Sequence, residues 1–264
     1  RTKAMALVGI SIGLMFALAL VAAPLLAAQF GLAGLFWLTF GLTVAGIATV
    51  LWVVPPEQPR STHGQPGRLA DVLRNADLMR VNFGVFVLHT VQMAMWVAVP
   101  AMLVQAGLLK EAHWQAYLPA LVLSIIAMGG LLAMERRGRL RAAMLLSIGL
   151  ILLVQVGLGV VALGGGMPSL WGLGALLFVF FCGFNMLEAT QPSLVSRMAP
   201  GSLRGAALGA YNTLQSLGLF AGGALGGALA KWAGAPGLFA ATALLAALWL
   251  ALTWPLRPVA KAGS

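Results

Sequence analysis

Two titratable side chains sit deep inside apolar runs of this sequence. Glu188 interrupts the run 170–192 and is the only acid within any such run, since Glu57, Asp71, Asp77, Glu111 and Glu135 fall between the runs or at their ends. A charge in a lipid core costs about 2.5–3.5 kcal/mol or more, so a carboxyl there faces protein or a water cavity. Glu188 can carry a coupling proton; the alternative is structural pairing with Arg197 or Arg204 near the inner end of its helix. Asn185, three residues earlier on the same face, can hydrogen-bond into its site. His89 is the only histidine inside a run, and imidazole titrates near neutrality, so it can relay protons or simply be satisfied by a neighbouring helix.

Around these two lie weaker candidates. Asn82, His89, Met93, Trp96 and Pro100 fall close to one helical face, a polar and aromatic stripe in an aliphatic segment. Tyr211, Asn212, Gln215 and Ser216 form a polar cluster, and Gln92 and Gln155 are isolated amides. Each can touch a substrate or act as interhelical glue. No Ser-His-Asp set, phosphate loop, paired carboxylates or metal-ligand cluster is present, and the lone Cys182 can form no intrachain disulfide. Neither an enzyme nor a cofactor or metal site is expected.

The elements that must position these groups follow from composition. Of 264 residues, 61% are hydrophobic and 8% charged, which excludes a water-soluble globular enzyme. A membrane helix needs ~20 apolar residues. Runs at about 5–28, 33–54, 81–104, 115–134, 142–163, 170–192, 205–230 and 237–255 predict eight spans in an all-α polytopic membrane protein. The connections alternate between nearly uncharged (29–32, 105–114, 164–169, 231–236) and basic (55–80, 135–141, 193–204 and both termini). Arg1, Lys3, Arg60, Arg68, Arg74, Arg80, Arg136, Arg137, Arg139, Arg141, Arg197, Arg204, Arg257 and Lys261 lie on the basic side, 14 of the 16 Lys and Arg, against Lys110 and Lys231. This asymmetry predicts that both ends and the basic loops face the cytoplasm, and it accounts for the net charge of +10 without nucleic acid. Within 55–80, prolines 55, 56, 59 and 66 favour extended chain, and Leu69, Val72, Leu73, Ala76 and Met79 then recur at helical steps. A short amphipathic interfacial helix leading into the third span is expected.

An internal repeat organises the spans. Ala19, Ala23, Pro24, Ala27 and Ala28 in the first are answered, 199 positions later, by Gly218, Gly222, Gly223, Gly226 and Gly227 in the seventh. Small residues so spaced let helix backbones approach closely. Gly34-Leu35-Phe36 matches Gly237-Leu238-Phe239 at a displacement of 203, as Arg1 does Arg204. If spans 1–2 repeat spans 7–8, the unit is six helices: residues 1–54 are the last two of one bundle, 55–80 a linker, 81–264 a complete second bundle, and four helices would precede Arg1. Repeated halves around a midplane site are secondary-transporter architecture.

This pattern resembles the major facilitator superfamily, twelve helices in two halves, here helices five to twelve. The small-residue motifs occupy the place of the glycine-proline motif of proton-coupled drug antiporters, with Ala23-Pro24 where Gly-Pro is usual. Gly130 and Glu135-Arg136-Arg137-Gly138-Arg139 look like the second-half copy of the family's cytoplasmic gating loop, with Glu135 in place of Asp. The resemblance implies a bacterial inner-membrane transporter, monomeric at full length, that moves a small amphipathic molecule by alternating access. It places Glu188 and His89 on two helices lining a central cavity, where a proton can be coupled to transport, and proton-coupled efflux is the expected activity. A proton-coupled uptake symporter and a non-transporting assembly or regulatory membrane protein are the alternatives.

Overall fold

The computed structural model describes residues 2–55 and 69–256. The basic residues Arg1, Arg60, Arg68, Arg257 and Lys261 lie outside the described residues, as do the side chains of Lys3, Pro24 and Arg136. The chain divides into two compact units, residues 1–65 and 66–264.

In the first unit a single helical element, α1 (Thr2–Trp52), is broken at Gly31, whose φ of 65° and ψ of −176° are open essentially to glycine alone. Thr39, Thr43 and Thr49 return their hydroxyls to the carbonyls four residues back, so no polar side-chain hydrogen on them is left facing lipid. Phe36, Trp37 and Trp52 are exposed.

The second unit contains α2 (Leu69–Arg74), α3 (Ala76–Gln105), a 3-10 turn (Lys110–Ala112), α4 (Trp114–Arg136), α5 (Leu140–Leu163), α6 (Leu170–Met198) and α7 (Arg204–Thr253). Six helices among the described residues are long and apolar enough to cross a membrane. The expected connections 29–32 and 231–236 are not loops: each is one glycine inside a continuous element, Gly31 in α1 and Gly234 in α7. The expected amphipathic helix is also shorter than its periodicity suggests. Asn75 caps α3 by accepting from the amides of Asp77 and Leu78, so α2 ends one residue earlier, and Val72 is its one buried residue.

Contacts across the second unit fix the helix directions. His89 meets Glu188 and Gly84 lies beside Gln191, so α3 and α6 are antiparallel. Gly183 against Ser147 and Gly157 against Leu176 make α5 antiparallel to α6, while Asn185–Ser124 and Arg197–Glu135 make α4 parallel to it. The first arm of α7 runs parallel to α3, with Gly218, Gly222 and Gly226 on Phe86, Thr90 and Ala94. The second arm runs antiparallel to α5, through Phe239–Gly159, Thr242–Gln155 and Trp254–Arg141. The chain therefore reverses at Gly234. It follows that Arg80, Arg137, Arg139, Arg141, Arg197 and Arg204 gather at one end of this unit and Lys110 and Lys231 at the other.

The two breaks match in detail. Gly234 has φ 66° and ψ −175°, nearly the values of Gly31, and stands 203 positions after it. Three residues on, a β-carbon added to Gly34 would strike that of Phe30, and one added to Gly237 would strike that of Ala233. The repeated local motif is thus Gly-x-x-Gly-Leu-Phe, in which the first glycine breaks the helix and the second admits the preceding helix end. Gly234→Ala should lower stability by about 1–3 kcal/mol, the cost of forcing a β-carbon into this region. Thermal unfolding in detergent reads this, and an unchanged midpoint would contradict the assignment.

Candidate functional site

The site is assembled where α3, α6 and the first arm of α7 meet. Close approach makes it possible. A β-carbon at Gly218 would collide with the Phe86 carbonyl, at Gly222 with the Thr90 carbonyl, and at Gly226 would lie 2.8 Å from the Ala94 α-carbon. Thr90 donates to the Gly218 carbonyl at 3.3 Å, adding a hydrogen bond across the seam. Gly223 and Gly227, on the next face, have nothing within 4 Å. In the first unit Ala23 and Ala27 are half-buried and Ala19 and Ala28 exposed.

The glycine seam brings α7 near enough for Gln215 to reach His89 on α3, with the amide nitrogen 2.9 Å from Nε2. On the other side of the ring Nδ1 lies 2.9 Å from the Val85 carbonyl. A carbonyl can only accept, so Nδ1 carries a proton, and in neutral imidazole Nε2 is then a bare acceptor for the Gln215 N–H. Glu188 on α6 points at the same atom, its Oε1 3.3 Å from Nε2. That oxygen is shut off from solvent and makes no hydrogen bond. The pair therefore has two one-proton forms: carboxylic acid beside neutral imidazole with Gln215 donating to Nε2, or carboxylate facing imidazolium with the Gln215 N–H turned away from Nε2. One proton distinguishes them from the unprotonated pair. The side chain of His89 is 4% exposed and that of Glu188 33%, so the carboxyl is the member reachable from outside the bundle.

Glu188 is not paired with either arginine considered from the sequence. Arg197 reaches Glu135 at 3.3 Å, and Arg204 donates to the Ser196 carbonyl. Asn185, expected to bond into the Glu188 site, turns to α4 and donates to Ser124 at 2.9 Å, because the angular step from 185 to 188 suits the α4 seam. Tyr211 and Gln215 are one helical turn apart and both face inward. Asn212 is exposed, and its carbonyl accepts from Ser216, so the polar cluster divides between two faces. Tyr211 approaches Gln191 at 3.5 Å; Gln191 lies three residues after Glu188, a spacing that could have singled it out.

The stripe on α3 divides as well. Asn82 is buried two turns from His89 with Nδ2 4.0 Å from the Met79 sulfur. Met93 packs on the Gly222 seam, and Trp96 meets Tyr117 edge-on at 4.8 Å and Phe181 at 6.4 Å. Phe184 approaches the His89 ring at 5.9 Å and stacks on Phe180 at 5.5 Å. An aromatic wall thus leads from His89 to Trp96. Phe180, Phe181 and Phe184 were not candidates from sequence, because in an apolar run nothing marks which aromatic will pack beside a polar site.

At the arginine-rich end, α4 closes in a Schellman turn. Gly138 adopts φ 78°, its amide bonds to the Glu135 carbonyl at 2.8 Å, and that of Arg139 to the Met134 carbonyl at 2.9 Å. Glu135, held by Arg197, ties the ends of α4 and α6 together; Gly130 has nothing within 4 Å.

Residues 1–223 match the family model described as Major Facilitator Superfamily. The chain is 35% identical over 258 residues to the inner membrane transport protein YajR of Escherichia coli K12, covering 95% of this chain and 55% of that protein. It is 27% identical over 229 residues to an uncharacterized transporter of Buchnera aphidicola subsp. Acyrthosiphon pisum, covering 84% and 57%. Over 124 residues it is 33% identical to the uncharacterized MFS-type transporter YhhS of Escherichia coli K12, covering 47% and 29%. It spans about half the length of the first two of these curated relatives. With an all-helical, membrane-spanning fold and a family match over most of its length, the chain belongs to the major facilitator superfamily.

Proposed function

We propose that this chain forms the second six-helix half, with the last two helices of the first, of a proton-coupled secondary transporter in the bacterial inner membrane. Its work is alternating access for a small amphipathic organic molecule, in the direction of efflux. The observation that carries this reading is the convergence of Glu188 and Gln215 on Nε2 of His89, which brings together the one carboxyl and the one imidazole found within apolar runs as a pair able to exchange a proton. Phe184 and Trp96, the partly exposed members of the aromatic row beside it, suit an apolar or cationic aromatic substrate better than a sugar. The three relatives are all named as transporters, which supports transport in general.

The natural full-length protein, reconstituted in vesicles with the permanently charged dye ethidium, tests the direction. An acid interior drives dye entry in antiport. An acid exterior drives it in symport, which the alanines at Ala19, Ala23, Ala27 and Ala28 in place of glycine favour as the second reading. Entry indifferent to either gradient would contradict proton coupling.

The proposed orientation places both ends and the arginine-rich loops in the cytoplasm. Single cysteines at Ser61 and Ala112, without Cys182, should then differ: an impermeant thiol reagent added outside labels Ala112→Cys and spares Ser61→Cys. The reverse pattern means the chain is inverted.

A further inference from the structure

Between α5 and the second arm of α7, at the arginine-rich end, lies an open apolar groove of about 410 Å³ lined by Leu152, Ala247, Leu250, Ala251, Trp254 and Pro255. The two alanines leave room between the leucines and the indole, a shape that takes an alkyl chain. Beside it Arg141, in the first turn of α5, is fixed in place. Its Nε donates to the Trp254 carbonyl at 3.1 Å, Nη2 donates to the same oxygen, and the guanidinium stands 5.8 Å over the Trp254 ring. Both bonds use one edge of the fork and leave Nη1 for another acceptor.

The charge here is uncompensated. The first turn of α5 contains no acid, Glu135 is taken by Arg197, and none of the ion pairs among the described residues includes Arg141. Arg137 and Arg139 are exposed on the adjoining turn. A cationic rim therefore borders an open apolar groove on the surface of this unit.

We propose that this groove is a binding site for one anionic phospholipid, with its phosphate at Arg141 and an acyl chain along Leu250, Ala251 and Trp254. A zwitterionic lipid would bring its own cation against the arginines, and a free phosphate would leave the groove unused. Nothing in this assignment depends on proton coupling.

The test is native mass spectrometry of the protein released from vesicles of equimolar phosphatidylcholine and phosphatidylglycerol. One phosphatidylglycerol is retained in preference to phosphatidylcholine. Arg141→Gln lowers that preference about fivefold, roughly the worth of one arginine at a lipid surface. Ala251→Trp, which fills the groove and leaves every charge in place, lowers it as well, and excess glycerol phosphate does not displace the lipid. Equal retention of the two lipids by the unmodified protein overturns the proposal without recourse to any variant. So does a preference undiminished by Ala251→Trp, or displacement by glycerol phosphate, which would mark a phosphate site alone.

Discussion

Glu188→Gln abolishes the response of transport to an imposed pH gradient in the full-length protein, while substrate binding survives. The amide keeps the shape of the carboxyl beside His89 Nε2 in a permanently neutral form, so the packing of α3 against α6 is preserved. What is lost is the one proton that separates the two forms of the pair. Gradient-driven flux falls to background, whereas exchange of substrate at equal pH on both sides continues. Glu188→Asp retains part of the coupling, since the carboxylate survives but is one methylene further from Nε2. His89→Gln has the smaller effect of the two, because Glu188, at 33% exposure, reaches the outside without it. A folded Glu188→Gln protein with full gradient dependence would remove Glu188 from the coupling path.

Gly222→Leu should prevent stable folding, and Gly223→Leu should not. The two glycines are adjacent in sequence and alike in composition, but they face different surroundings. At Gly222 a β-carbon would strike the Thr90 carbonyl and come within 2.9 Å of the Thr90 α-carbon and 2.8 Å of the Met93 β-carbon. Backbone atoms cannot swing aside as a side-chain tip can, so α3 and α7 must separate, at a cost of about 3 kcal/mol or more. Separation also withdraws Gln215 from His89, so the same change disrupts the site. At Gly223 nothing lies within 4 Å. Size-exclusion profiles and melting midpoints of the two variants in detergent decide the matter: equal midpoints would refute the seam.

Much of this was legible in the sequence because lipid imposes simple rules. An uncharged run near twenty residues must be helical, and six long helices cover the eight runs only in part, Arg204–Thr253 taking in two of them. The 203-residue displacement read from Gly34-Leu35-Phe36 and Gly237-Leu238-Phe239 reappears as matched backbone angles at Gly31 and Gly234. Those two glycines were not singled out, since in a chain with 33 glycines no local signal separates one that breaks a helix from one that does not. Scarcity made Glu188 and His89 visible, and their apposition was not, because periodicity gives the face of a helix but not its partner across a seam. Asn185 shows the limit: it shares a face with Glu188 by spacing, yet its amide goes to Ser124 on α4. Asn75 shows another: it falls inside the helical steps read from Leu69 to Met79, yet it is the cap that begins the next helix.

The central claim is that Glu188 and His89 form one proton-exchanging pair, and infrared difference spectroscopy across a pH titration in lipid tests it most directly. A protonated-carboxyl carbonyl band that grows as pH falls, disappears in Glu188→Gln and moves in His89→Gln is the expected result, since the two groups titrate as a unit rather than independently. A spectrum in which no titrating carboxyl band is removed by Glu188→Gln, or one in which that band is indifferent to His89→Gln, would contradict it.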